Sequence, residues 1–359
     1  MCKVATYDPI NFTIHHSVNR RRRFMTTLQP AMLPPARWNE TLVTAPARLH
    51  LGLLNMSGLF DRMDGGVGVS ITEPRWQLRV KAADAIRVLG LRGELHDAAT
   101  RALQALCDEF SIPGIYIFVE QDVPAHVGLG SKTSLLMALG RAVCQLAGNN
   151  FDVTHIAMVV GRGGTSGAGV NLARCGGVVW DSGHRLSAKD GTFGPSSTSA
   201  ARPPQAVTRL APSDLFAVHF RYYPVGPSGS AERKIFADTC PVPRDETTRL
   251  LLLASGVVLP CMAEAAYGVD LQAALTEMQY LGLKRAEWDA QDDVTLRFRK
   301  HWETSGVDVA LCLSSMGPTM FVLTPDLTGV RQAISGFDQD PVHYTEARVS
   351  DSGIAVATH

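Results

Sequence analysis

Residues 124–146 read P-A-H-V-G-L-G-S-K-T-S-L-L-M-A-L-G-R-A-V-C-Q-L, a turn with two glycines that opens directly into a helical pattern. Leu135, Leu139, Ala142 and Leu146 repeat along one stripe, with Leu136 and Val143 beside it. Gly128 and Gly130 let the backbone turn tightly and come close to a ligand. Ser131, Lys132, Thr133 and Ser134 then fall in the first helical turn, where N–H groups lack partners and the helix dipole is positive. Such a start suits a phosphate or diphosphate, and Lys132 adds a full positive charge there. Read alone, the same stretch is equally an ordinary loop before a capped core helix. It is neither the G-x-x-x-x-G-K-[ST] phosphate loop nor the G-x-G-x-x-G dinucleotide turn.

Two further glycine clusters bear on that choice. Residues 161–169, G-R-G-G-T-S-G-A-G, follow the apolar run Ile156–Val160, which Thr154 is placed to cap. Five glycines in nine residues forfeit backbone entropy wherever they are ordered. The segment is therefore a linker or a ligand loop. Arg162 within it and the strand-like G-G-V-V-W of 176–180 after it favour the loop, whose donors are Gly163, Gly164, Thr165 and Ser166. Asp181 and His184 stand at the end of that strand. The third cluster is D-G-G-V-G at 64–68, led by Asp64. Upstream, P-A-R-L-H-L-G-L at 46–53 alternates, which puts Arg48 and His50 on one strand face. A satisfied structural His and a surface Arg are the plain readings of that pair; a shared anion-facing surface is the functional one.

Taken in order, P-A-R-L-H-L-G-L-L, R-M-D-G-G-V-G-V, H-V-G-L-G-S-K-T-S, G-R-G-G-T-S-G-A-G and G-G-V-V-W-D-S-G-H resemble the successive motifs of the β-ribofuranosylaminobenzene 5′-phosphate synthases. That family has the GHMP superfamily fold, and the resemblance spans about residues 41–326. It implies an α+β fold of two lobes with the active site in the cleft between them. The implied boundaries are an N-terminal lobe over 38–205 and a C-terminal lobe over 206–359. The implied reaction joins the anomeric carbon of phosphoribosyl pyrophosphate (PRPP) to an aromatic carboxylate, with loss of diphosphate and CO2. Magnesium is expected, and no nucleotide cofactor. Where the family commonly reads G-L-G-S-G-T-Q, this chain has Lys132 and Ser134. That departure points to a branch with a different acceptor. The resembling branch makes C-nucleoside antibiotics of the formycin and pyrazofurin type from an aminopyrazole dicarboxylate.

On the implied chemistry, Gly130, Ser131, Lys132 and Thr133 would meet the leaving diphosphate, and Gly128 and Ser134 would bind the substrate beside them. Arg48 stands where many superfamily kinases carry Lys in A-P-x-K, so it and His50 would face the same pocket. Arg162 and residues 163–166 would hold the ribose 5-phosphate. Asp181 or His184 would hold the acceptor's N–H, and Asp64 magnesium or ribose hydroxyls. Two other classes stay open: an ATP-dependent kinase of the superfamily, and a non-catalytic phosphometabolite sensor. The late S-S-M-G-P-T at 314–319 is a poor version of the kinases' G-x-G-G.

Composition narrows the field. The 359 residues carry 34 basic and 34 acidic side chains, so no net field recruits nucleic acid or an anionic membrane. No apolar run reads as a membrane span. Seven cysteines without a C-x-x-C pair read as free thiols of a cytoplasmic protein, a homodimer being compatible. Residues 1–37, with the run Arg20–Arg23, read as a disordered tail.

The periodicity predicts strands near 42–54, 66–72, 75–81, 115–119, 215–222, 307–315 and 319–324, and an edge strand at the end. It predicts helices near 96–110, 131–146, 245–267, 270–283, 290–304 and 327–335. Residues 185–213, rich in Ser, Pro and Gly, read as a surface excursion or mobile lid. Strands and helices do not alternate strictly, which argues α+β and against a doubly wound sheet.

Overall fold

The computed structural model describes residues 41–358, so the expected tail and its arginine run lie outside them. The chain enters through β1 (Thr41–Asn55), which alternates inward and outward as far as Arg48 and is buried from Leu49 on. A half-buried strand has become one buried on both faces, and the change falls where the cleft opens. β2 (Arg62–Ala82) pairs antiparallel with all of β1 as one continuous strand, where two were expected. A register break at Pro46/Ala47 divides the pairing, so each half of β2 shows its own alternation in sequence.

β3 (Arg87–Leu89) and α1 (Gly93–Phe110) lead to β4 (Ile115–Gln121), which lies between β2 and β3. α2 (Ser131–Ala147) buries Leu135, Leu136, Leu139, Ala142 and Val143, the stripe read from the sequence. α3 (Val153–Val159) contains most of the run 156–160. Its cap is Asp152, whose carboxylate accepts from the N–H groups of Thr154 and His155, so Thr154 is not the cap. α4 (Ala168–Cys175) follows the second glycine cluster, and only then comes β5 (Val178–Asp181).

β6 (His184–Arg185) pairs with the start of β2, and β7 (Ala206–Leu210) with β5. β8 (Phe216–Arg221) opens the second sheet. α5 (Ser230–Thr239) follows, then α6 (Arg244–Leu253), which runs through a π-helical turn at Ala254–Val258 into α7 (Leu259–Ala263). Arg244–Ala263 is 20 residues long and apolar enough to cross a membrane, contrary to the sequence reading. Its Leu250, Leu253, Ala254, Val258, Leu259 and Met262 join the main hydrophobic core, which gives those side chains another reason to be apolar.

α8 (Val269–Met278), α9 (Gly282–Asp289) and α10 (Asp293–Thr304) come next. α9 was not expected. β9 (Cys312–Leu313), β10 (Met320–Thr324), α11 (Thr328–Ser335) and β11 (His343–Arg348) complete a sheet in the order β11-β8-β10-β9, and β11 is the expected edge. Finally β12 (Ala355–Thr358) returns to the outer edge of β1.

Both β7 and β12 thus belong to the first sheet, so a division at residue 205 cuts through it. Every strand pair is antiparallel except β3 with β4. The architecture is α+β, as the irregular element order required. Phe220, Trp288, Phe298 and Trp302 form a second core under the smaller sheet. The excursion at 185–213 is anchored, not a free lid. Lys189 reaches Asp64, Thr165 donates to the carbonyl of Gly194, and Gly164 packs on Ser199.

Candidate active site

The start of α2 opens onto a cleft of about 410 Å³. Gly130 precedes the helix in the left-handed region at φ 68°, and no described side chain caps the first turn. Ser134 N–H bonds the Gly130 carbonyl, so Ser131, Lys132 and Thr133 bring the first-turn N–H groups to the cleft. Gly128 and Gly130 are needed for close approach by protein. A Cβ at 128 would lie 2.3 Å from the Ser314 carbonyl oxygen, and one at 130 would lie 2.9 Å from the Arg48 side chain. The S-S-M-G-P-T loop is therefore docked onto the glycine turn. Ser314 Oγ donates to Gly128 O at 2.7 Å, and the backbones of His50 and Ser315 bond in turn.

Arg48 lies across this turn, donating from Nη1 to Gly128 O at 3.0 Å. Burial and the nearby Arg162 hold its guanidinium down to about 10. Arg162 is itself lowered by burial, and it grips Thr133 Oγ1 at 2.8 and 3.1 Å. Two guanidiniums brought together out of water favour an anion between them. Lys132 is half exposed and bonds Glu94 Oε1 at 2.8 Å, and Glu94 also meets His126 at 3.0 Å. The Lys132 ammonium, with His126 behind it, holds the Glu94 carboxyl below its usual range.

His50 borders the cleft with Nε2 at 3.2 Å from Ser166 Oγ. Burial, Arg48 and Lys284 push it well below the usual imidazole range, so it is neutral near pH 7. Behind it lies a closed network. Ser166 Oγ donates to Asp181 Oδ2 at 3.3 Å, and Gly183 N–H donates to Asp181 Oδ1 at 2.9 Å. Burial raises the Asp181 carboxyl to about 7. Asp64 lies between His184 (2.7 Å) and Lys189 (3.0 and 3.2 Å).

Ten of the expected residues line this one cleft: Arg48, His50, Gly128, Gly130, Ser131, Lys132, Thr133, Arg162, Thr165 and Ser166. Six do not. Asp64 and Asp181 are fully buried, and Lys189 and His184 already occupy Asp64, so neither carboxylate is presented to magnesium or to an acceptor. His184 gives Nε2 to the Arg202 carbonyl and borders a separate depression instead. Ser134 points into the core, where it meets the Trp76 indole N–H at 3.1 Å. Gly163 and Gly164 make room for Pro203 and Ser199 of the excursion, not for a ligand.

The second half of the chain supplies what the motifs did not. Glu232 and Arg233 of α5 line the cleft, as do Glu287 of α9 and Met316. Lys284 ion-pairs with Glu287 and donates to the carbonyls of Leu313 (3.0 Å) and Ser315 (3.3 Å). Leu53 and Phe236 give the cleft an apolar wall and pack with Leu283. The available signal was in α9. Lys284 and Glu287 sit on the same helical stripe as Leu283 and Trp288, and charges on a buried stripe mark a site or a paired ion.

Residues 97–176 match the family described as GHMP kinases N terminal domain. A β-ribofuranosylphenol 5′-phosphate synthase of Archaeoglobus fulgidus is 34% identical over 288 residues, covering 79% of this chain and 88% of that protein. The enzyme of the same name from Methanothermobacter thermautotrophicus is 32% identical over 306 residues, with 81% and 90% covered. Among solved structures, homoserine kinase of Cytophaga hutchinsonii superposes with a TM-score of 0.64 at 15% identity, covering 90% of this chain and 99% of that one. Mevalonate diphosphate decarboxylase of Staphylococcus aureus gives 0.61 at 13% identity, covering 89% and 98%. These neighbours establish the GHMP fold.

Proposed function

This chain belongs to the β-ribofuranosylphenol 5′-phosphate synthase family, and from that premise we propose that it joins the anomeric carbon of PRPP to the carboxyl-bearing carbon of an aromatic acid. Diphosphate and CO2 leave. The carrying observation is the uncapped start of α2 facing the crowded guanidiniums of Arg48 and Arg162. Breaking the anomeric C–O bond puts negative charge on the leaving diphosphate. Preorganised N–H groups and cations at that point lower the barrier. Ser131, Lys132 and Thr133 are the diphosphate donors in this reading. Arg162, with Arg233, is assigned to the 5-phosphate, the role first given to the whole segment 162–166.

A magnesium ion is part of the proposal. Among the described residues no three metal-binding side chains are grouped. Mg²⁺ bound to a diphosphate, however, needs only one or two protein carboxylates. Glu232 fits: it lines the cleft, and Arg48 and Arg162 are among its charged neighbours. When bound, the ion would supply counter-charge to the diphosphate.

The ring attacks through its carboxyl-bearing carbon, and loss of CO2 restores aromaticity. Positioning then supplies much of the rate. The finer reading, an aminopyrazole dicarboxylate acceptor as in C-nucleoside antibiotic assembly, rests on Lys132. Ser134, the other departure from the family pattern, is turned away from the cleft. The buried thiols of Cys107, Cys144 and Cys312 suit a reducing compartment, and we place the enzyme in the cytoplasm. The kinase and sensor readings give way, because synthases match at 32–34% identity over most of their length, while the kinase family model covers residues 97–176 and the homoserine kinase superposes at 15% identity.

The test mixes the protein with PRPP, magnesium and a panel of aromatic and heteroaromatic carboxylates. A product heavier by phosphoribosyl and lighter by carboxyl supports the reading. A phosphorylated product formed from ATP would replace it with the kinase.

A further inference from the structure

We infer that Glu287 recognises the acceptor, its open oxygen taking a hydrogen bond from an exocyclic O–H or N–H on the aromatic ring. This deepens the synthase reading and rests on it. Glu287 is 5% exposed, and that small exposure faces the cleft. Its Oε2 is buried against the Lys284 ammonium. Its Oε1 accepts no hydrogen bond from any described residue. Lys284 is committed elsewhere too, to the carbonyls of Leu313 and Ser315, so it fixes the carboxylate's rotation and cannot swing away.

A carboxylate oxygen left without a partner on a buried residue is costly, and such groups gather where a ligand supplies the partner. The other two cleft carboxylates are placed differently. Glu94 is held by Lys132 and His126, and Glu232 faces Arg162 as well as Arg48. Glu287 is one helical turn from Leu283, which packs with Leu53 and Phe236 of the cleft wall. A planar ring laid on that wall brings its edge to Glu287. Because Lys284 already balances the charge, a neutral O–H or N–H is favoured over a second cation.

For a hydroxyl acceptor the step balances as follows. The O–H proton passes to Glu287 Oε1 as the ring carbon bearing the carboxylate bonds to the anomeric carbon. The anomeric C–O bond breaks, and its electron pair leaves on diphosphate. The resulting dienone loses CO2, the C–C electron pair returns to the ring, and the phenolate oxygen recovers the proton from Glu287. Burial holds this carboxyl above its usual range, which suits a group that takes up and returns a proton. The charged and titratable groups facing it are Lys284 on its own helix, Arg48 on β1, Glu232 on α5 and Cys240 just beyond α5. His50 of β1 faces the same Lys284.

The experiment compares wild type with E287Q and E287D on two acceptors, 4-hydroxybenzoate and an aminopyrazole dicarboxylate, at saturating PRPP and magnesium. E287Q is expected to lower kcat roughly 100- to 10,000-fold, the range of a lost acid–base group. The donor-induced rise in melting temperature should stay intact, and the acidic limb of the pH–rate profile should disappear. E287D should recover part of the rate. A wild-type measurement stands beside these in case a variant folds poorly. With 4-methoxybenzoate, which has no proton to give, wild type should slow by a similar factor. E287Q that turns over like wild type and keeps the acidic limb overturns the assignment alone. So does 4-methoxybenzoate reacting as fast as the hydroxy acid. Failure of wild type on both acceptors would overturn the synthase reading beneath it.

Discussion

Replacing Arg48 by Met should make the ligand-free protein more stable while abolishing its response to the donor. Arg48 is the cation that burial and Arg162 hold down to about 10, against an ordinary 12.5. At 1.36 kcal/mol per unit, keeping it charged in the fold costs on the order of 3 kcal/mol. Met has a similar stem and no charge, and it relieves Arg162 of a like-charged neighbour. The loss on the other side is one hydrogen bond to Gly128 O, worth about 1 kcal/mol net. That carbonyl is not orphaned, because Ser314 Oγ still donates to it at 2.7 Å. The balance is a gain of roughly 2 kcal/mol, seen as a rise of a few degrees in melting temperature.

The functional side runs the opposite way. At about 100 times its dissociation constant a ligand stabilises by ~2.7 kcal/mol, so PRPP with magnesium should raise the wild-type melting temperature, and ATP should not. Arg48→Met should lose the PRPP shift. Differential scanning fluorimetry reads both effects on the same plates. A variant that melts earlier than wild type, or that still responds to the donor, would refute the reasoning.

Lys132→Ala should cut turnover by about two to three powers of ten while changing donor binding less, since a charge beside the leaving group acts mainly in the transition state; near-native turnover in steady-state assays would make Lys132 merely the partner of Glu94. Asp181→Asn should remove a pH dependence of stability. Burial raises Asp181 from 3.8 to about 7, so its contribution is complete below about pH 4 and is lost as pH climbs through 7. Wild type should therefore lose stability to urea between pH 5 and pH 8 by more than the Asn variant, and parallel declines would count against the buried-acid assignment. Gly130→Ala places a Cβ at φ 68° and 2.9 Å from the Arg48 side chain, so it should lower both the melting temperature and the response to PRPP.

The glycine-rich motifs located one wall of the cleft because their requirements are local. A turn at Gly128–Gly130, followed by an apolar stripe, specifies a helix start in any context. What the sequence could not tell was which way a polar residue beside such a motif would face. Asp64 and His184 come together because β2 pairs with β6 at Met63 and His184, a register set by the whole sheet. Asp181, at the end of β5, is withdrawn behind Ser166 of the loop before α4. Gly163 and Gly164 read as ligand-facing, yet the chain itself fills the space in front of them, from 35 residues or more downstream. The opposite wall, with Glu232 and Glu287, lies on ordinary helices. There only a charge on a buried stripe distinguishes a site residue from solvated surface, and that distinction needs the fold.

The most direct measurement follows the acceptor's carboxyl carbon. An acceptor labelled at that carbon is incubated with the enzyme, with and without PRPP, and both released gas and product are counted. One labelled CO2 per product is expected, and none without the donor. Ribosylation must come first, because the bonded ring can receive the departing electron pair whereas the free acid would be left with an in-plane carbanion. Labelled CO2 released without PRPP would contradict that order, and a ribosylated product that keeps the label would contradict decarboxylative carbon–carbon bond formation itself.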